Sequence, residues 1–440
     1  MKISRIILIL FLMISAVTVE AQKNLVSPPP GKKIFVPRDL AGNDFTDPEA
    51  TWSYDRMACT DNVVVFWEKP FGKDLTKAPD LEGHNMKVDI DNLINKLDSF
   101  YIFFKDNLQF LRPHSKAETY RMMVMLNYSL EGTAYGGDYD GEIGALWIAP
   151  NRVQDEKLNC IAHELGHSFQ SQISCDGQGE AWGGGGIFEM ASQWMLWQVN
   201  PEWVKDENYH WEAFKKLTHK AFLDMENIYH SPYVLEYWSE KRGKGVIANL
   251  FRMGKKGEDP LQTYMRMFKL DLTQTADELF ECYCKLVTFD FERVRNVCQP
   301  YACQLATHMA RKKNVIWPRY APEAFGFNVV KMKTPAEGKK VKISFQGLPQ
   351  EGEDDHAIGA NWRYGFVGVF NDGTPLYGES SDLNNGKLIF KAPKDKKLKA
   401  LYLVVMGVPS VYQPMTLRNN ARKNAGKNRI RNYPYKLTVK

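Results

Sequence analysis

The spacing of apolar positions changes character along the chain, and each change predicts a different kind of structure. An unbroken apolar run, IILILFLMISAV, follows Lys2 and Arg5 and leads to the small residues of VEA. This pattern predicts a secretory signal over residues 1–21, and with it a secreted or periplasmic protein of bacterial type. The run is short for a membrane span, no cysteine follows it to carry a lipid, and no later stretch reaches about 18 consecutive apolar residues. No integral membrane segment is therefore expected after cleavage. Residues 22–55, with SPPPGKK and DLAGNDFTDPEA, read as an extended lead segment or linker. NVVVFWE is the first convincing strand. Leu93, Leu97, Phe100, Tyr101, Phe104 and Leu108 then recur at helical spacing, with Asp91 as the expected N-cap. YRMMVMLNYS and GALWIAP predict two strands joined by the glycine-rich connection LEGTAYGGDYDGEI, and residues 152–310 read as mostly helical.

After WPRYAPEAFGFN the period falls to two. KVKISFQGL, YGFVGVF, GKLIFKAP, ALYLVVMGVP and YPYKLTVK alternate and are divided by turn signals such as NDGTP and NNG. The chain thus predicts an α+β domain over residues 56–312 followed by an all-β sandwich over residues 322–440. KKNVIWPRYAPEA is the expected linker, and the β part is expected to fold by itself.

Composition changes this picture only in detail. With 440 residues, 44% of them apolar and 12% aromatic, the chain can build two packed cores. The net charge of +5 is uneven, because residues 321–440 hold 20 Lys and Arg against 10 Asp and Glu. The densest run, RNNARKNAGKNRIR at Arg418–Arg431, reads either as a solvated loop or as a contact for an anionic glycan, a sulfated polymer or a cell surface. Nucleic acid is not an expected partner, since the chain has an export signal and no recognition module. The seven cysteines are an odd number, so at least one thiol should be unpaired. A local disulfide among Cys282, Cys284, Cys298 and Cys303 is possible in an oxidising compartment, whereas Cys-x-Cys spacing argues against a zinc site there.

The candidate chemistry lies in IAHELGHSFQ, residues 161–170, within a chain that has nine histidines. Leu158, Ile161, Ala162, Leu165 and Phe169 repeat at helical spacing, so His163 and His167 stand one above the other on one helix face and aim at a common point. Glu164 points to a neighbouring direction, from which a carboxylate can reach a water on a shared ion. A catalytic Zn2+ needs a third protein ligand and an open position. Gln170 and Ile173 stand where a metzincin would have Gly and His, so a carboxylate from a second helix is required. Glu189 in GGGGIFEMASQWMLWQ is the leading candidate, because an isolated glutamate among Ile187, Phe188, Met190, Ala191 and Trp194 is costly to bury without a partner. Asp176 and Glu180 in CDGQGEAWGGGG are the competitors. Asp138, Asp140 and Glu142 alternate like calcium ligands but read better as a polar turn. Trp182, Trp194 and Trp197 read as core rather than as a sugar-stacking face.

Residues 121 to about 240 resemble the gluzincin metallopeptidases, whose signature is His-Glu-x-x-His followed on a later helix by a zinc-binding glutamate. HELGHSFQ, FEMASQW and APEAFGFNVV together resemble a secreted bacterial zincin-like family with a carboxy-terminal β-sandwich. The resemblance implies His163, His167 and Glu189 as zinc ligands and Glu164 as general base. It also implies a peptidase acting on proteins, peptides or glycoproteins, with GALWIAP as the edge strand that pairs with the substrate through Gly144–Ile148. Gluzincins commonly take an oxyanion donor from a later Tyr or His, and ENIYHSPYVLEYWSEK offers Tyr229, His230, Tyr233 and Tyr237, of which His230 or Tyr233 is the expected one. A zinc amidase, or an adhesion protein on a zincin scaffold that has lost turnover, are the competing readings; an intact Glu164 speaks against the latter.

Overall fold

The structure, a computed structural model, describes residues 24–179, 182, 187–348, 361–415 and 432–439. The expected signal at residues 1–21, Glu180 and the basic run Arg418–Arg431 lie outside the described residues. The architecture is mixed α/β, with three sheets and ten α-helices among the described residues. No helix among them is long and apolar enough to cross a membrane.

The first sheet contains β1 (Met57–Cys59), β2 (Val63–Trp67), β3 (Met122–Leu126), β4 (Ala134–Tyr139) and β5 (Ile143–Ile148), in the order β1-β2-β3-β5-β4. β2, β3 and β5 are parallel, and β4 closes one edge antiparallel to β5. The apolar runs of β2 and β3 are buried at every position, as parallel strands covered on both faces must be. The helices are α1 (Ile90–Ile102), α2 (Asn159–Cys175), α3 (Phe188–Val199), α4 (Trp203–Asp206), α5 (Asn208–Leu217), α6 (Tyr233–Arg242), α7 (Val246–Met253), α8 (Pro260–Phe268), α9 (Leu272–Leu286) and α10 (Arg295–Cys298). α1 buries Leu93, Leu97, Phe100 and Tyr101 of the expected stripe, with Phe104 and Leu108 following in a π turn and at its end, and it starts earlier than expected, because Asp89 and not Asp91 caps it by accepting from Asn92 N–H at 2.9 Å.

The lead segment is no linker. Phe45 and Trp52 are buried, Phe45 packs on Phe66 with ring centroids 5.2 Å apart, and the buried Arg121 guanidinium donates to the carbonyls of Pro30, Lys32 and Thr60. Residues 24–55 are thereby part of the first unit. All seven cysteines are described and all are unpaired, with Cys282, Cys284 and Cys298 sealed in the core, so the local disulfide is not formed.

The second half holds two antiparallel sheets. One, in the order β11-β10-β13-β8, contains β8 (Phe327–Met332), β10 (Asn361–Phe370), β11 (Pro375–Ser381) and β13 (Leu398–Val408). The other, β12-β9-β14-β7-β6, contains β6 (Met309–Lys312), β7 (Val315–Pro318), β9 (Lys340–Gly347), β12 (Asn385–Lys391) and β14 (Tyr435–Val439). Their facing sides share a core that includes Phe345, Trp362, Tyr364 and Leu403. The expected linker is itself structured, since residues 309–318 form the β6–β7 hairpin and β7 pairs with β14. Much of the other face of the four-stranded sheet, along β8, β10 and β13, is also buried. Phe327, Val329, Val367, Tyr402 and Val404 join the core of the first half, and Tyr283 of α9 stacks on Phe327 at 4.0 Å while its hydroxyl donates to the Phe325 carbonyl at 2.7 Å. The unbroken run ALYLVVMGV is the mark of this double burial, because a strand with one wet face would alternate.

A fragment of residues 322–440 would lack β6 and β7 and expose the face that α9 covers. It should show no cooperative thermal transition and should bind a hydrophobic dye, whereas the full chain should unfold in one transition. A sharp melt of the fragment would show that the helical cover is dispensable.

Candidate metal centre

Two helices, one strand and one loop supply the side chains of the site. On one flank of α2, Ser168 Oγ donates to the Ala145 carbonyl at 2.7 Å and Gln172 Oε1 accepts from Gly144 N–H at 2.8 Å. At the next strand a Cβ on Gly136 would stand 1.9 Å from the Glu164 carbonyl oxygen and 2.8 Å from the His167 Cβ, so β4 and α2 meet backbone to backbone. On the opposite flank a Cβ on Gly166 would stand 2.9 Å from Ser192 Oγ and 3.3 Å from its Cα, so α3 also packs closely, though less tightly than β4. Held in this way, the imidazoles at i and i+4 of α2 face the first turn of α3, where Glu189 stands.

His163 Nε2 and His167 Nε2 each lie 3.1 Å from Glu189 Oε2 and 3.1 Å from one another. A tetrahedral zinc with bonds of about 2.0–2.1 Å holds its ligand atoms about 3.3 Å apart, so this triangle fits such an ion with a small expansion. Hydrogen-bond accounting points the same way. Gln170 Nε2 donates to the Phe188 carbonyl at 3.0 Å and to Ser192 Oγ at 2.9 Å, which leaves Gln170 Oε1 to accept from His167 Nδ1 at 3.2 Å. A neutral His167 then carries its proton on Nδ1, and its Nε2 lone pair faces a carboxylate oxygen. Only a cation or a proton between those atoms relieves that contact. Burial alone would raise the Glu189 carboxyl, but its bonds to both imidazoles hold it well below the usual carboxylate range. Burial likewise pushes the His167 imidazole down, and the adjoining Glu189 carboxylate more than reverses this, leaving it above its ordinary value.

Glu164 stands outside the triangle, where its Oε2 accepts from Gly136 N–H at 2.8 Å. Tyr229, from the loop before α6, lies 6.3 Å from the His163 ring in a nearly parallel orientation and is 42% exposed. Burial, and after it the charge of Glu189, push its phenol up to about 12. Together with Tyr135 and Phe188 these groups line a cleft of about 430 Å³.

The structure therefore brings together His163, Glu164, His167 and Glu189, and it separates the other expected residues from them. Tyr233 is 1% exposed, with its ring packed among Trp197, Trp211, Phe214 and Phe289. His230 turns away, its Nδ1 lying 2.7 Å from His210 Nδ1. Neither lines the cleft, whereas Tyr229 does. Asp176 is committed elsewhere, accepting from Lys116 N–H at 3.0 Å and Gln172 Nε2 at 2.9 Å. Asp138 closes a turn by accepting from Gly141 N–H, Asp140 pairs with Arg38 and Glu142 with Lys116, so the polar-turn reading of that loop holds. Trp182, Trp194 and Trp197 are buried in the core. The expected edge strand is also displaced. β5 is internal, flanked by β3 and β4, and the open edge beside Glu164 belongs to β4, which lies within the supposed glycine-rich connection.

Three contributors are invisible to motif spacing: Gly136, Gln170 and Tyr229. A signal for the last exists in the sequence. Tyr233 and Tyr237 fall on the apolar repeat with Val234 and Trp238, whereas Tyr229 precedes the helix and is free of it.

Residues 27–440 match the family described as "Family of unknown function (DUF6055)". No curated protein matches the chain. Among solved structures, xylanase 10C from Cellvibrio japonicus in complex with xylopentaose is similar at 9% identity over 31% of this chain, with a TM-score of 0.16 that carries no argument. The similar region spans 24% of the xylanase chain.

Gly136→Ala should push β4 off α2 and break the bond to Glu164, lowering stability by about 1–3 kcal/mol, the usual cost of overpacking. Gln170→Leu should keep the fold but release the His167 ring, weakening zinc binding about 10- to 100-fold. Thermal melts and competition with a chromogenic chelator read the two effects, and unchanged zinc affinity in Gln170→Leu would deny it an orienting role.

Proposed function

The chain belongs to the DUF6055 family, and we propose that it works as an exported zinc-dependent hydrolase that cleaves peptide bonds in proteins or glycoproteins. The observation that carries this reading is the convergence of His163 Nε2, His167 Nε2 and Glu189 Oε2, with Glu164 beside them on the open side of the cleft. Two imidazoles and one carboxylate, with a position left for water, are a catalytic donor set rather than a structural one. A zinc ion bound there supplies Lewis acidity, lowering the pKa of a water toward about 7 and polarising a carbonyl.

The chain's own groups do the rest. Glu164 accepts the proton of the attacking water and returns it to the leaving amine; its bond from Gly136 N–H holds the carboxylate in place without neutralising it. The Tyr229 hydroxyl, protonated throughout the neutral range and close to Glu189, would donate to the oxygen that becomes negative in the tetrahedral transition state. Gln170 keeps the proton of His167 on Nδ1 and so leaves Nε2 as a donor atom. The edge position of β4 supports a peptide substrate, since an extended chain can pair along that strand on either side of Gly136, whose N–H is held by Glu164. Export is supported by the basic, apolar and small residues that succeed one another over residues 1–21.

His163→Ala, His167→Ala and Glu189→Ala should each lose bound zinc, and Asp176→Ala should keep it. Glu164→Gln should stay near stoichiometric in zinc while turnover falls about 10²- to 10⁴-fold. Tyr229→Phe should lower kcat by about 10- to 10³-fold with zinc retained and little change in KM. Zinc is measured after gel filtration, and turnover on a peptide-library digest with chelator and with zinc restored. Cleavage indifferent to the chelator, or a fully active Glu164→Gln, would overturn the assignment.

A further inference from the structure

Among the described residues, the strands of the five-stranded sheet in the second half turn lysines and no acids to their outer face. Ile343, Phe345, Leu388, Phe390, Tyr435 and Leu437 point into the core, which sends the alternate residues of the same strands to solvent. Those alternate residues include Lys340 and Lys342 on β9, Lys387 and Lys391 on β12, and Lys436 on β14, with Lys312 of β6 opposite Val315. The positions between them hold Ser344, Gln346, Thr438 and Ile389, so the face has no carboxylate of its own. The ion pairs of this half lie elsewhere, with Arg363 on Asp277 and Lys396 on Asp372.

Two features separate this face from an ordinary wet surface. Solvated faces usually intersperse both signs of charge, and edge-strand lysines serve to block unwanted pairing. Blocking accounts for β6 and β12, but Lys340, Lys342 and Lys436 sit on interior strands. Moreover, Lys340 stands directly opposite Lys391, a like-charged cross-strand pair that disfavours the sheet, and among the described residues neither lysine is in an ion pair. Strands about 4.8 Å apart and same-face residues about 6.8 Å apart along each strand set the ammonium groups on a grid, suited to a polymer with regularly repeated negative charge.

At one end of the grid lies a groove of about 500 Å³ whose lining includes Val315, Trp317, Leu348 and Pro434 together with Lys312 and Lys436. Its apolar surface is recessed, which fits a ring lying on Trp317 better than it fits insertion into a membrane. We infer that this face is a binding site for an acidic polysaccharide, whose carboxylate or sulfate groups meet the lysines and one of whose sugar rings lies on Trp317. The site is remote in sequence from the metal centre and would hold the enzyme on the material that surrounds its substrate.

The test uses the full chain at low salt on immobilised polygalacturonate and on immobilised dextran sulfate, which separate carboxylate from sulfate. Vesicles of phosphatidylcholine with one quarter phosphatidylglycerol, and duplex DNA, serve as competitors. The parent should bind at least one of the two polysaccharides more tightly than vesicles or DNA. Joint replacement Lys340→Gln, Lys342→Gln and Lys436→Gln should cost about ten-fold or more in affinity and flatten its dependence on salt. Trp317→Ala should weaken binding with the salt dependence kept. Replacing Lys331, Lys397 and Lys399 by Gln, on the four-stranded sheet and its preceding loop, should leave binding near the parent value. The melting temperature of the first triple variant should hold or rise, since a like-charged pair is relieved, and zinc content on the same samples should not change. Failure to bind either polysaccharide, equal binding by the first triple variant, or tighter binding to vesicles or DNA would each overturn the inference.

Discussion

Helix α2 has no slack on either flank. A single methyl group at Gly136 would overlap the Glu164 carbonyl, and one at Gly166 would press on Ser192. The approach of Glu164 and of Glu189 to the candidate metal site follows from that double contact. Because β4 touches α2, the Gly136 amide can reach Glu164; because α3 touches α2, one carboxylate oxygen of Glu189 can reach two imidazoles at once. Behind α3 the arrangement is braced by a buried ion pair. Arg293 grips Glu236 of α6 with Nε and Nη2, and Trp194 and Gln198 of α3 donate to the same carboxylate. Losing one partner of such a pair strands the other charge and costs about 3–5 kcal/mol, so the far side of α3 is not free to drift.

The site's acids and imidazoles were legible because their information is local. The four-residue separation of His163 and His167 is a statement about one helix face, and the apolar company of Glu189 makes an unpartnered carboxylate there expensive. What escaped was information carried by contact. Gly136 and Gly137 look like loop residues by composition, yet they form a strand because the helix lies against it. Gln170 is an unremarked polar residue until Phe188 and Ser192 take its two donors. Tyr229 and His230 are adjacent in sequence and face different neighbours, a difference set by His210, which comes from α5.

The fold shows the same division. Strands that alternate or run apolar, such as β2, β3, β9 and β12, were readable, and so was the stripe of α1. The boundary between halves was not. Proline and charge in KKNVIWPRYAPEA look like a linker, but β7 needs only four residues and an edge position for β6 to enter a sheet. The lead segment misled for the same reason, since a few anchors, Phe45, Trp52 and the carbonyls that Arg121 binds, suffice to dock a stretch with little secondary structure.

The four-stranded sheet, whose central strands β10 and β13 are buried on both sides, bears on how such a protein can be inherited. A module attached by a tether can be shuffled, lost or replaced without harm to its neighbour. Here Val329, Val367, Tyr402 and Val404 belong to the core of the helical half, so a gene fusion that exchanged the β half would leave the helices with an open hydrophobic wall. The two halves must change together, substitution answering substitution across α9. A single family match running from residue 27 to residue 440 is what a lineage under that constraint would leave behind.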